Sequence, residues 1–143
     1  MALVEPAGTV AKLCADRVAV PIHGALARES SRYPLTEFGF EATLRRVLRV
    51  VDRAKANGDL RLAIAGRGVV DGRPTIVLER RLPASGVPGT YPDALMVLQL
   101  DESTLLPVAI HSYRDAAGKE LLGEYIVSDV QLNPRIPAGA FKL

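Results

Sequence analysis

Cysteine, tryptophan and aromatic residues are scarce in this chain of 143 residues. Its single cysteine, Cys14, excludes an intrachain disulfide and a metal site built from several thiolates. With no tryptophan and 5% aromatic residues, the core has to be built from aliphatic side chains. The formal net charge of +2 is too small to indicate a nucleic-acid partner, and the basic residues are not interleaved with aromatic ones.

The chain also lacks long apolar segments. No stretch approaches the roughly 20 apolar residues that a membrane-spanning helix needs. The opening MALVEPAGTVAKLC has neither a basic start nor an uninterrupted apolar run, so it does not resemble a signal peptide. Two alternatives follow for the location of the protein: the cytoplasm, or export by a signal encoded upstream of Met1.

One amphipathic helix is predicted over residues 37–56. Thr36 is the expected N-cap, because its hydroxyl can accept a hydrogen bond from a first-turn amide. Asn57-Gly58 supplies the left-handed residue that ends a helix. The apolar residues between these signals follow the spacing of one helical face: Phe40, Leu44, Val47, Leu48 and Val51.

After the helix, apolar residues alternate with a period of two, which is typical of half-buried strands. Asp71-Gly72 between two such runs predicts a two-residue hairpin. Five strands are predicted at residues 60–70, 73–82, 94–100, 108–114 and 119–131, and two short ones at residues 2–5 and 17–20. The chain is therefore predicted to be a single α+β domain over residues 1–143. Because the connections between its strands are short, the five-stranded sheet is predicted to be an antiparallel meander.

The register of the last two strands decides which side chains share a face of the sheet. Pairing Arg114 with Lys119 places Ile110 opposite Gly123. The predicted buried or concave face then consists of Met96, Leu98, Leu100, Val108, Ile110, Leu121, Tyr125 and Val127. The opposite, mixed face carries His111, Tyr113 and Glu124.

The sequence offers few residues for chemistry. His111 and Ser112 are neighbours in a strand, so they point to opposite faces and cannot act as a base and its nucleophile. No closely spaced cluster of histidine and cysteine predicts a metal site. Gly66-Arg67-Gly68 lies within a strand pattern and predicts a β-bulge or a bend of the sheet rather than a dinucleotide loop. The chain is therefore predicted not to be an enzyme and to need no metal or cofactor.

Two regions of the chain resemble a known family. Residues 31–40, SRYPLTEFGF, resemble the RYPIT-x-x-G entry of a bacterial family of uncharacterised exported proteins. The carboxy-terminal order resembles that of lipoprotein-carrier-like (LolA/LppX-like) half-barrels. Its matching elements are Leu106-Pro107-Val108, Ser112-Tyr113, Glu124-Tyr125, Asp129-Val130-Gln131-Leu132-Asn133 and Phe141.

This resemblance implies a curved, half-barrel-like antiparallel sheet with the long helix packed on its concave face. It also implies an apolar cavity between the helix and the sheet, where carrier proteins hold a lipid or a lipoprotein acyl chain. The predicted lining consists of Phe40, Leu44, Leu48, Met96, Leu98, Ile110 and Tyr125. The resemblance also implies a periplasmic or cell-envelope location. Because such relatives begin with a further helix and strands, the chain is expected to be the carboxy-terminal portion of a larger domain. An exposed sheet edge near residues 2–20 could then pair in a homodimer.

Three functions remain open at this point. The first is a non-enzymatic cell-envelope domain that binds a lipid or another apolar ligand. The second is a structural or protein-interaction module in which the helix fills the concave face and leaves no ligand site. The third is a hydrolase that uses His111 or Asp93, although no acid, base and oxyanion site occur together.

Overall fold

A computed structural model describes residues 2–4, 18–20, 38–83, 90–137 and 139–140. The chain divides into two compact units, Met1–Gly58 and Asp59–Leu143. The predictions for Cys14, for most of the first 20 residues and for the loop that leads to the helix lie outside the described residues.

The described residues of the first unit form two short strands and a helix. Strands β1 (Ala2–Val4) and β2 (Val18–Val20) pair antiparallel, with Ala2 opposite Val20. These are the two short strands that the alternation in the opening segment predicts. They form a sheet of their own and not an extension of the larger one.

Helix α1 spans Phe40–Ala56, which is 17 residues. Its N-cap is Gly39, whose φ of 97° lies in a region that favours glycine, and no side chain caps the first turn. The prediction of an N-cap at Thr36 is therefore wrong, and the helix begins later than the sequence suggested. Its end is as predicted, because Asn57 is the C-cap and Gly58 adopts a φ of 75°.

The second unit is built on an open sheet of five antiparallel strands in sequence order. The strands are β3 (Arg61–Val70), β4 (Arg73–Arg81), β5 (Leu95–Asp101), β6 (Pro107–Tyr113) and β7 (Leu121–Ile126). Each strand pairs with the next, so the predicted five-stranded meander is confirmed. Within the described ranges, a helix and an open antiparallel sheet confirm the α+β class.

The first hairpin of the sheet forms at Asp71-Gly72, as predicted. Asp71 has a φ of 50° and Gly72 a φ of 72°. Two successive residues with positive φ match the twist of paired strands. The turn therefore sets Val70 opposite Arg73 and starts the register of β3 on β4.

A β-bulge interrupts β3 between Ile64 and Gly66, where the glycine has a φ of 144°. This confirms the bulge that the glycine pair in this strand predicts. The extra residue changes the register, because Ile64 pairs with Leu78 instead of Glu79.

The predicted register of β6 on β7 is wrong. Ile110 lies opposite Tyr125 and not opposite Gly123. One cause is the turn, where the Asp115 carboxylate accepts backbone N–H groups as far along the chain as Glu120. A second cause is a register shift next to Ser112, which adds a residue to β7.

Two residues of the predicted buried face are exposed, one because of the register and one because the strand ends before it. Leu121 lies opposite Tyr113 and is exposed. Val127 lies beyond the end of β7 and is also exposed. The buried apolar residues among the described part of the second unit are Leu82, Ala94, Leu95, Met96, Leu98, Val108, Ala109 and Ile110.

Candidate functional site

One row of side chains crosses all five strands of the sheet and contains no charged residue. Residues directly opposite each other on neighbouring strands point to the same face. The successive pairs Ile64–Leu78, Leu78–Leu98, Leu98–Ile110 and Ile110–Tyr125 therefore form one continuous apolar row. Four interstrand spacings of about 4.8 Å make it roughly 19 Å long.

The apolar row is buried in the middle and open at its first strand. Leu98 and Ile110 are buried, whereas Leu78 and Tyr125 are half-buried. Ile64, on the edge strand β3, is 73% exposed. The row therefore offers an apolar surface to solvent at one edge of the sheet.

The next row on the same face adds polar groups. Its successive pairs place Leu62, Arg80, Met96 and Ser112 in line across four strands. The Arg80 and Asp93 side chains form an ion pair with 2% and 4% of their surface exposed. Arg80 donates from one terminal nitrogen to Asp93 Oδ1, but its Nε atom is buried without a hydrogen-bond partner.

The opposite face of the sheet is more polar. His111 Nε2 lies 3.0 Å from Glu124 Oε2 on the neighbouring strand. The prediction that these two residues share a face is confirmed. On this face the hydroxyl of Thr75 donates to Gln99 Oε1. Gly68 lies beside this hydrogen bond, and because glycine has no Cβ it leaves room for both side chains.

The turn after β5 is held by Asp101. Its Oδ1 atom accepts hydrogen bonds from the N–H and hydroxyl groups of Ser103 and Thr104, and its Oδ2 atom accepts one from Arg73 Nε. The hydrogen bond from Arg73 is the largest cause, and the one from Ser103 the second, of a pKa of Asp101 well below its ordinary value. The hydrogen bond between Arg73 and Asp101 also raises the pKa of Arg73. These contacts assign the Asp101 carboxylate a structural role, because it holds the turn together.

The predicted lining residues belong to both units of the chain. Leu98, Ile110 and Tyr125 belong to the apolar row, and Met96 lies in the adjacent row on the same face. Phe40, Leu44 and Leu48 belong to α1 in the first unit, so their role in lining a ligand site stays a prediction.

The burial of the helix residues departs from the sequence pattern at one position. Phe40 and Leu44 are half-buried, which agrees with their place on the predicted apolar face of the helix. Leu48 is 55% exposed, so the assignment of this residue to a buried helical face is wrong. At 3.6 residues per turn, the position of Leu48 around the helix axis is at the margin of the half-buried face, where a side chain meets solvent.

Sequence reasoning missed Ile64, Leu78 and Arg80. Ile64 and Leu78 each sit in an alternating strand, but only the bulge in β3 brings them opposite each other. Arg80 was treated as an ordinary strand arginine. Its partner Asp93 lies 13 residues further along the chain, after a loop rich in proline and glycine, so no local pattern in the sequence connects the two.

Neither a membrane span nor a metal cluster occurs among the described residues. No helix in this part of the chain is long and apolar enough to cross a membrane. Within the same ranges, no three side chains of histidine, cysteine, aspartate or glutamate are grouped closely enough to hold a metal ion.

The family comparison covers the whole sequence. Residues 1–143 match the model of DUF1571, described as a protein of unknown function. The chain therefore belongs to the DUF1571 family. No curated protein and no solved structure is significantly similar to it.

Proposed function

We propose that this chain is a non-enzymatic cell-envelope domain that binds a lipid or another apolar molecule along the apolar row. The observation that carries the proposal is the alignment of Ile64, Leu78, Leu98, Ile110 and Tyr125 across the sheet. A row about 19 Å long has the dimensions of an extended long acyl chain. The exposed Ile64 provides a way in from the edge strand.

The cell-envelope location and the lipoprotein-carrier-like half-barrel are part of the same proposal. They are supported by the resemblance of residues 31–40 and of the carboxy-terminal strand order to exported carrier-like proteins. The open antiparallel sheet is compatible with a half-barrel, because the bulges next to Ile64 and Ser112 bend the strands that carry them.

Two exposed isoleucines allow a matched test of the binding surface. Ile64 belongs to the apolar row, whereas Ile126 lies opposite Ala109 on the other face of the sheet and is 56% exposed. Both are on edge strands, so Ile64→Ser and Ile126→Ser should each leave stability within about 0.5 kcal/mol of the parent.

The assay is titration with N-phenylnaphthylamine, an uncharged apolar dye that fluoresces when it leaves water. Burying an isoleucine side chain contributes about 1.5–3 kcal/mol. Ile64→Ser should therefore weaken dye binding by about tenfold or more. Ile126→Ser should bind the dye as the parent does. Equal affinity of both variants, or no saturable binding by the parent, would contradict the proposal.

A second candidate function is protein interaction through the edge of the sheet. Its specific support is β3, an edge strand in which residues 61–67 are all exposed and include the apolar Leu62 and Ile64. An exposed edge strand is a template for pairing with another strand. Sedimentation separates the two functions, because edge pairing of two copies makes the mass depend on concentration, whereas ligand binding by a monomer does not.

A further inference from the structure

We infer that Arg80 selects the ligand of the apolar row, and that this ligand carries an uncharged carbonyl, such as an acyl ester, at one end of its chain. The inference rests on the proposed function and specifies its ligand class. Its basis is the one buried side-chain polar atom without a hydrogen-bond partner among the described residues, Arg80 Nε.

The position of Arg80 links this donor to the apolar row. Arg80 lies two residues beyond Leu78 on β4, so the two side chains point to the same face. Its neighbours across the sheet are Leu62 and Met96. Leu62 is exposed on the edge strand, so the row of Arg80 opens to solvent at the same edge as Ile64.

The charge of the site favours an uncharged acceptor. The guanidinium of Arg80 and the carboxylate of Asp93 balance each other within the buried pair. A ligand carboxylate would bring a second negative charge next to Asp93 in a region that excludes water, which is unfavourable. An ester or amide carbonyl would accept from Nε without adding charge. The Nε donor would then make the hydrogen bond that it lacks. This removes the free-energy cost of a buried polar group without a partner.

Three ligands with the same chain length test this inference. Monopalmitoylglycerol has an ester carbonyl, its ether analogue hexadecylglycerol lacks the carbonyl, and palmitate is charged. Each is titrated against the protein by displacement of N-phenylnaphthylamine, below its micelle concentration. The ester should bind about 2- to 10-fold more tightly than the ether, as one added hydrogen bond implies. It should also bind more tightly than palmitate.

The variant Arg80→Lys tests the residue itself, because lysine keeps a cation beside Asp93 but has no Nε donor at this position. It should reduce the preference for ester over ether to about one, while the affinity for the ether stays that of the parent. If this variant does not fold, the order of the three ligands on the parent protein still decides the question.

The outcomes separate the two proposals. Saturable binding of the dye with equal affinity for ester and ether overturns the role of Arg80 and leaves the apolar row as a ligand site. A preference for palmitate over the ester overturns the uncharged acceptor. Failure of the parent protein to bind the dye and all three ligands overturns the proposed function itself.

Discussion

The buried ion pair between Arg80 and Asp93 should make a large and strongly coupled contribution to stability. Both side chains are almost completely removed from solvent. Removing one partner leaves an uncompensated buried charge, so Arg80→Met and Asp93→Leu should each cost about 3–5 kcal/mol of unfolding free energy. The double variant leaves no buried charge, and its cost should lie far below the sum of the single costs.

The matched control is an ion pair of the same type on the surface. Arg45 lies 2.8 Å from Glu41 one helical turn away, and their side chains are 73% and 80% exposed. Replacing these two residues with alanine, singly and together, should give a coupling of only about 0.2–0.5 kcal/mol, because water screens the charges.

Urea denaturation of each variant gives the unfolding free energies, provided that the dependence on urea stays the same across the series. If the unfolding free energies of the single variants of the buried pair lie within about 1 kcal/mol of the parent, Arg80 and Asp93 are solvated. Additive costs in the double variant would show that the two residues do not interact. Either result would refute the reasoning about this pair and remove the structural basis for a buried Nε donor.

Three further predictions concern the turn, the polar face and the absence of catalysis. Because the folded pKa of Asp101 is lowered, its stabilisation is present above the ordinary pKa of about 3.9 and is lost as the pH falls below it. The melting temperature of the parent should therefore exceed that of Asp101→Asn by a constant amount between about pH 5 and 7, and by less below about pH 4; a difference that grows in acid would contradict this. Gly68→Ala should lower stability by about 1–3 kcal/mol in urea denaturation, because its Cβ would lie 2.8 Å from Gln99 Oε1 and 3.1 Å from the buried Thr75 hydroxyl. Finally, His111→Ala should leave any background ester hydrolysis unchanged, and loss of a turnover that the parent shows would make the chain an enzyme.

Most of the sheet could be predicted from the sequence because local signals specify it. Alternating apolar residues locate the strands, and Asp71-Gly72 fixes the first hairpin through its two positive φ angles. The end of the helix at Asn57-Gly58 follows from the conformational freedom of glycine. Its start does not, because Gly39 caps the helix without the side-chain oxygen that sequence analysis seeks.

The candidate site could be predicted only in part, since it depends on register. Leu98, Ile110 and Tyr125 were placed on one face from alternation alone, although Ile110 and Tyr125 were not matched as opposite neighbours. Each bulge shifts the pairing by one residue, and the length of the turn at Asp115 shifts it again. No local pattern specifies these shifts, or the pairing of Arg80 with a carboxylate 13 residues away.

Residue-level photolabelling tests the apolar row most directly. A long-chain alkyl probe that carries a diazirine is bound to the protein, activated by light and located by tandem mass spectrometry. The proposed function predicts saturable labelling of Leu78, Leu98 and Ile110, which competes with monopalmitoylglycerol. Their sequence neighbours Val97 and His111, on the other face of the sheet, should remain unlabelled. Labelling of both faces alike, or labelling that no acyl ligand reduces, would contradict the proposal that this row is a binding surface.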